Sequence, residues 1–211
     1  MYLPAHFEES DPTVLQALIA EFPLGTLVTY GANGLTADHI PFLVEPARGD
    51  RPLSLIGHVA RNNPLWHATT SAIEPMVIFG GASAYITPTW YETKRLTHEV
   101  VPTYNYAVVH VHGPLIVHDD AKWTRGMVGK LTRAMESGRA MPWKMGDAPQ
   151  EFLAAQIGNI VGIEIPVRSM IGKWKVSQNR VEADRHGAVA GLRAEEQNDM
   201  AALIEARLPK S

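Results

Sequence analysis

Fifteen prolines and 17 glycines are spread through the 211 residues, and this punctuation is the strongest constraint on what the chain can build. Proline ends or kinks a helix and glycine weakens one. Long-helix bundles are therefore excluded, and many short elements joined by turns are expected. Apolar residues make up 45% and charged residues 19%, enough to bury a core. No run approaches the ~18 apolar residues of a membrane span. The first eleven residues lack both the basic and the apolar part of a signal peptide. A cytoplasmic protein with no membrane partner is expected. The absence of cysteine removes disulfides, Cys-ligated metals and thiol nucleophiles.

Asp11-Pro12 is a cap followed by proline at the first helical position, and helical spacing of apolar residues extends the helix over about 12–22. Strands are expected at 25–30 and 35–44, joined as a hairpin by Gly31-Ala32-Asn33-Gly34. A third strand follows at 53–58. Asn62-Asn63-Pro64 then starts a short helix near 64. Two strands, 75–80 and 82–87, are expected around Gly80-Gly81, with a long loop over 88–102. The longest strand, 104–117, should bend near Gly113-Pro114.

Asp119 and Asp120 cap a helix to about 137, and the capping-box spacing at Asp147 starts another to about 157. Strands are expected at 160–167 and 173–177. The tail, about 182–208, reads as helical with interruptions at Gly187 and Gly191. The first six elements do not alternate strand and helix. The order fits an antiparallel β-barrel with peripheral helices, mainly β in an α+β class, as one domain over 1–211.

Four constellations could carry chemistry. Gly57-His58-Val59-Ala60-Arg61-Asn62-Asn63-Pro64 places a strand end, a guanidinium and a helix start together, which suits a phosphate or an ordinary capped helix with Arg61 in solvent. His110 and His112 share a strand face with Tyr104 and Tyr106. A metal site there would need a distant third ligand such as His39, His58 or His118, and the plainer reading is a half-buried polar face. Lys173, Lys175 and Ser177 share a face in Gly172-Lys173-Trp174-Lys175-Val176-Ser177-Gln178-Asn179-Arg180. That face suits a planar anion, or a solvated edge strand. The aromatic run Tyr85-Ile86-Thr87-Pro88-Thr89-Trp90-Tyr91 suits a flat ligand or a subunit interface. No nucleophile elbow, Walker loop, dinucleotide fingerprint or HExxH motif occurs.

Several runs carry a family likeness in order from residue 1 to about 192. They are Met1-Tyr2-Leu3-Pro4-Ala5-His6-Phe7, Pro23-Leu24-Gly25-Thr26-Leu27-Val28, Asp38-His39-Ile40-Pro41-Phe42 and Gly57-His58-Val59-Ala60-Arg61. Tyr85 to Tyr91, Val101-Pro102-Thr103-Tyr104-Asn105-Tyr106 and Gly172 to Arg180 complete the set. Together they resemble the PaiB family of FMN-binding transcriptional regulators. The resemblance implies a split, Greek-key-like β-barrel of the pyridoxamine-phosphate-oxidase type. It also implies a homodimer with FMN at the subunit interface. Carried over by position, Arg61 and Asn62 would meet the FMN phosphate. Thr103 and Asn105 would approach the isoalloxazine from the partner subunit, and Lys175 with Gln178 would close the site.

The resemblance further implies negative regulation of protease and sporulation genes. The residues themselves offer no helix-turn-helix. The basic stripe Lys122, Arg125, Lys130 and Arg133 contains Glu136, and the net charge is −3, so direct DNA binding is not favoured. The expectation is flavin-linked redox or small-molecule chemistry, with a direct DNA-binding repressor as the alternative. Haem is a further alternative, drawing on His110 and His112.

Overall fold

The computed structural model describes residues 1–32, 34–68 and 73–209; Asn33, assigned to the hairpin turn, lies outside them. Ten strands and seven α-helices are described: β1 (Glu8–Glu9), α1 (Pro12–Glu21), β2 (Leu24–Gly31), β3 (Gly34–Pro41), β4 (Leu43–Glu45) and β5 (Ser54–Ala60). They continue as α2 (Leu65–Ala68), β6 (Met76–Ile86), α3 (Glu92–Leu96), β7 (Thr103–His112), β8 (Ile116–His118) and α4 (Ala121–Glu136). The last are α5 (Gln150–Gly158), β9 (Ile160–Pro166), β10 (Ser169–Lys175), α6 (Glu182–Ala194) and α7 (Asn198–Glu205). This is the expected α+β class, two antiparallel sheets with peripheral helices.

The chain divides into two compact units interleaved in sequence. The first comprises Met1–Leu15, Gly80–Val109 and Ile171–Ser211; the second comprises Gln16–Phe79 and His110–Met170.

In the second unit β2 pairs antiparallel with β3 over its whole length and with β6 through Thr26↔Ile78. A four-stranded sheet runs β4-β5-β9-β8, with His58 opposite Gly162 and Ile56 opposite Glu164. Its central strands are apolar nearly throughout because both faces are covered: Leu55, Val59, Val161, Ile163 and Ile165 are all buried. Helix α4 lies on this sheet through Met127 and Leu131, which meet Ile56. Gly162 makes room for the helix, since a Cβ there would stand 2.3 Å from the Trp123 ring.

The 35–44 strand is two strands. The chain breaks at Phe42, whose N–H donates to Pro23 O at 2.8 Å and whose ring is buried edge-on against Phe79. The strands expected at 75–80 and 82–87 are one, β6; Gly80 and Gly81 both keep negative φ and need no turn. The bend expected near Gly113-Pro114 is real and separates β7 from β8. Asp120 is the α4 cap, accepting from Trp123 N–H at 2.6 Å. Asp147 closes a 3-10 turn capped by Lys144, accepting from Lys144 N–H at 2.8 Å, and the N-cap of α5 is Pro149.

In the first unit β1 pairs with the end of β10, while α6 and α7 form a helical hairpin. The 88–102 segment contains a 3-10 turn at Pro88–Trp90 and then α3. Gly187 and Gly191 do not interrupt the tail helix. They are its contact surface: a Cβ on Gly187 would lie 1.9 Å from Trp90 O, and one on Gly191 2.2 Å from the Trp90 ring. The break comes at Glu195–Gln197, where Glu196 has φ +59. The 173–177 strand begins four residues earlier and ends at Lys175.

Candidate functional site

Arg61 follows the last residue of β5 and sits against the C-terminal end of α5. Its Nε donates to Gly158 O at 2.6 Å and its Nη2 to Ile160 O at 3.3 Å. Carbonyls at a helix C-terminus are unpaired and carry the negative end of the dipole, so a guanidinium is well placed there. Nη2 also donates to Asp119 Oδ1 at 2.7 Å. The shared bond raises the Arg61 pKa and holds the Asp119 carboxyl below its ordinary value. Trp66 lies beside the pair, donating from Nε1 to Arg61 O at 3.0 Å. Nη1 of Arg61 carries no bond among the described residues.

Asn62 is exposed next to Arg61. It lines a cavity of about 560 Å³ with Thr29, Thr36, Asp38 and Asn63. Asn63 is the cap of α2, its Oδ1 accepting from Leu65 N–H at 2.8 Å, and its Nδ2 donates to Asp38 Oδ1 at 2.7 Å. The strand–arginine–helix arrangement read from the sequence is therefore present. Its guanidinium already serves a carboxylate and two carbonyls.

The other four candidates lie in the first unit, with Lys175 bonded to Thr103, Asn105 bonded to Ser177 and Gln178 bonded only within its own turn. Lys175 Nζ donates to Thr103 Oγ1 at 2.5 Å and to Tyr104 O at 2.6 Å. Burial pushes the Lys175 pKa down, and Lys173 and Arg180 push it the same way against Tyr106. Asn105, 1% exposed, donates from Nδ2 to Ser177 Oγ at 2.9 Å. Ser177 reaches it from a left-handed backbone at φ +64, an uncommon place for a residue with a Cβ. The Asn105 Oδ1 is buried without a partner among the described residues, a costly state for an amide oxygen. Gln178 folds back on its own turn, accepting from Val176 N–H at 2.8 Å and donating to Trp174 O at 2.5 Å. Lys173 points its ammonium over the Tyr106 ring at 5.3 Å.

The sequence reads Asp119 only as a cap of α4 and Ser177 only as part of a polar strand face; their bonds to Arg61 and Asn105 are what the structure adds. One signal for Asp119 existed: one aspartate suffices to cap α4, so the second of the Asp119-Asp120 pair was free for another task. Nothing in sequence could announce the Ser177 conformation.

His110 and His112 are half-buried on one face of β7, and burial lowers the His110 pKa. Among the described residues no three His, Asp or Glu side chains converge on a point. His118 instead donates to or accepts from Glu164 at 2.8 Å and stacks on Trp123 at 3.9 Å. Of the aromatic run, Tyr91 is buried while Tyr85 is exposed. On α4, Lys130 pairs with Glu45 at 2.6 Å and Arg125 donates to Gln150 at 2.9 Å. No helix among the described residues is long and apolar enough to cross a membrane.

The family model described as "Putative FMN-binding domain" matches residues 1–169. The chain belongs to that FMN-binding domain family. A relative from Emericella nidulans, AN0679, is 34% identical over 226 residues, covering 91% of this chain and 90% of that one. The Protease synthase and sporulation protein PAI 2 of Bacillus subtilis is 29% identical over 213 residues, 100% of this chain and 99% of that one. The chain is thus distantly related to PaiB-like regulators. Among solved structures, the FAD and heme binding protein of Mycobacterium smegmatis superposes with a TM-score of 0.55 at 15% identity, over 80% of this chain and 73% of that one. At that identity the likeness establishes the split-barrel fold of this FMN-binding domain protein.

Proposed function

We propose that the protein binds FMN as a homodimer and carries out flavin-linked small-molecule chemistry, with any control of gene expression following from that chemistry. The observation that carries the reading is the convergence of Thr103, Asn105 and Lys175 in a chain of the FMN-binding domain family. The Asn105 oxygen lacks a donor among the described residues, and Lys175 is a partly buried cation whose pKa burial lowers. A flavin ring offers N–H donors and ring nitrogens whose electronics respond to a nearby positive charge.

Arg61 would hold the phosphate through its unengaged Nη1, assisted by the Asn62 carboxamide. Phosphate is a better bidentate partner than one carboxylate oxygen, so it would compete with Asp119 for the fork. Approaching from the partner subunit, Thr103 and Asn105 would meet the ring, and Lys175 with Gln178 would close the site. FMN, when bound, supplies hydride or single-electron transfer. In this chain Lys175 would hold positive charge beside the ring, and Thr103 would hold Lys175.

A dimer is supported by the exposed rings of Tyr85 and Tyr104, 52% and 55% accessible on the single chain, on the neighbouring strands β6 and β7, since exposed apolar surface marks interfaces when it forms a patch. Sedimentation at twice 23.2 kDa is expected, and a monomer at micromolar concentration would contradict it. Direct repression fares less well. In the α4 stripe Lys130 is neutralised by Glu45, and the chain's net charge of −3 opposes approach to the DNA phosphates. Haem would leave a Soret band in the same absorbance spectrum that tests for flavin.

A further inference from the structure

A second cleft, of about 480 Å³, opens in the second unit between the turn that joins β4 to β5 and the first half of α4. Its floor is apolar and aromatic: Trp123, Met127 and Ile56. Its rim carries Arg48, Arg51, Lys122 and Lys130 against Glu45, Asp120 and Glu164. All three carboxylates are engaged. Glu45 pairs with Lys130 at 2.6 Å, Asp120 caps α4 through Trp123 N–H, and Glu164 bonds His118 at 2.8 Å. Arg48, Arg51 and Lys122 have no side-chain partner among the described residues. The capped start of α4 offers nothing further, so attraction comes from these three side chains.

The arginines carry a second, independent signal. Arg48 N–H donates to Arg51 O at 3.0 Å and Arg51 N–H to Arg48 O at 3.1 Å, closing a two-residue turn in which Gly49 has φ +55. Residues that exchange both backbone bonds across an antiparallel bridge project to the same side, and like charges there repel. Asp50, within the turn, makes no ion pair among the described residues. The turn thus sets two guanidiniums on one side, neither ion-paired among the described residues, at the rim of the cleft above Trp123.

We infer that Arg48, Arg51 and Lys122 hold a small phosphate monoester whose planar apolar part lies against Trp123 and Met127, at a site separate from the flavin-binding residues. A dianion relieves the repulsion between the arginines and matches their forks. A cleft of this volume suits a small organic molecule better than a polymer. Because none of these residues belongs to the flavin reading, the two proposals fail separately.

The test uses the full-length protein and phenyl phosphate, with inorganic phosphate, benzoate and a random DNA duplex as comparison probes, read by calorimetry and thermal shift. Phenyl phosphate should bind saturably and raise the melting temperature, as any ligand selective for the native state does. Inorganic phosphate and benzoate should each bind more weakly. The R48A/R51A/K122A variant, all surface changes, should weaken phenyl phosphate by roughly tenfold or more, while Arg61→Ala leaves it unchanged. No binding at about 10 mM would overturn the inference. So would unchanged affinity in the triple variant, equal binding of inorganic phosphate, loss of phenyl phosphate binding in Arg61→Ala, or binding of the duplex without phenyl phosphate.

Discussion

Arg61 donates from Nη2 to Asp119 Oδ1 at 2.7 Å, across 58 residues of sequence, and the same guanidinium reaches Gly158 O at 2.6 Å. The residue that sequence and resemblance assign to a phosphate is thus also the residue that ties the end of β5 to the end of α5 and to the segment before α4.

Two substitutions separate those roles. Arg61→Ala should weaken FMN by roughly ten- to a hundred-fold, the worth of a charge-assisted fork. Asp119→Asn should leave the fork free of its competitor and tighten FMN a few-fold. Fluorescence titration of FMN against both variants measures this. Unchanged or tighter binding by Arg61→Ala, or a large loss in Asp119→Asn, would contradict the phosphate role.

Gly191→Ala should destabilise the protein by about 1–3 kcal/mol, the usual cost of overpacking, because the new methyl would meet the Trp90 ring at 2.2 Å. Gly187→Ala should cost at least as much, since its obstacle is the Trp90 backbone carbonyl. Gly126→Ala, in exposed α4 with nothing within 4 Å of the added carbon, should instead stabilise by roughly 0.5–1 kcal/mol. Denaturant unfolding of the three variants gives the order directly.

Acid should destabilise the fold through half-buried imidazoles. Burial lowers the His58 pKa below 6.5, and the His58 Nδ1 has no partner among the described residues; His110 is lowered for the same first cause. Unfolded histidine takes up a proton at a higher pH than the folded residue does. The stability these residues retain above pH 6.5 is therefore lost as pH falls from 6.5 toward the folded values. The His58→Gln and His110→Gln double variant should show a flatter stability profile between about pH 6.5 and 5. An unaltered slope in urea melts would contradict the burial argument.

Local chemistry was legible where one residue type answers one backbone need. Asp11 and Asp120 cap α1 and α4 as their positions require, and the apolar face of α4 through Met127 and Leu131 is the buried one. The β2–β3 hairpin follows from the turn residues that join it. Gly187 and Gly191 were misread because glycine inside a helix looks the same whether it breaks the helix or seats a ring against it. Only the distant Trp90 decides between the two. The break at Phe42 is likewise a tertiary fact, set by the burial of its ring, and β6 runs on through Gly80 because the glycine pair takes no turn. At the candidate site, residue types were readable and partners were not: the bonds from Lys175 to Thr103 and from Asn105 to Ser177 each span 72 residues.

The most direct test of the central claim is equilibrium dialysis of the full-length protein against FMN, followed by an absorbance spectrum. Saturable retention of a flavin band is predicted, lost or strongly weakened in Arg61→Ala and in Lys175→Ala. No retained flavin at about 100 μM FMN, or retention indifferent to both substitutions, would contradict it.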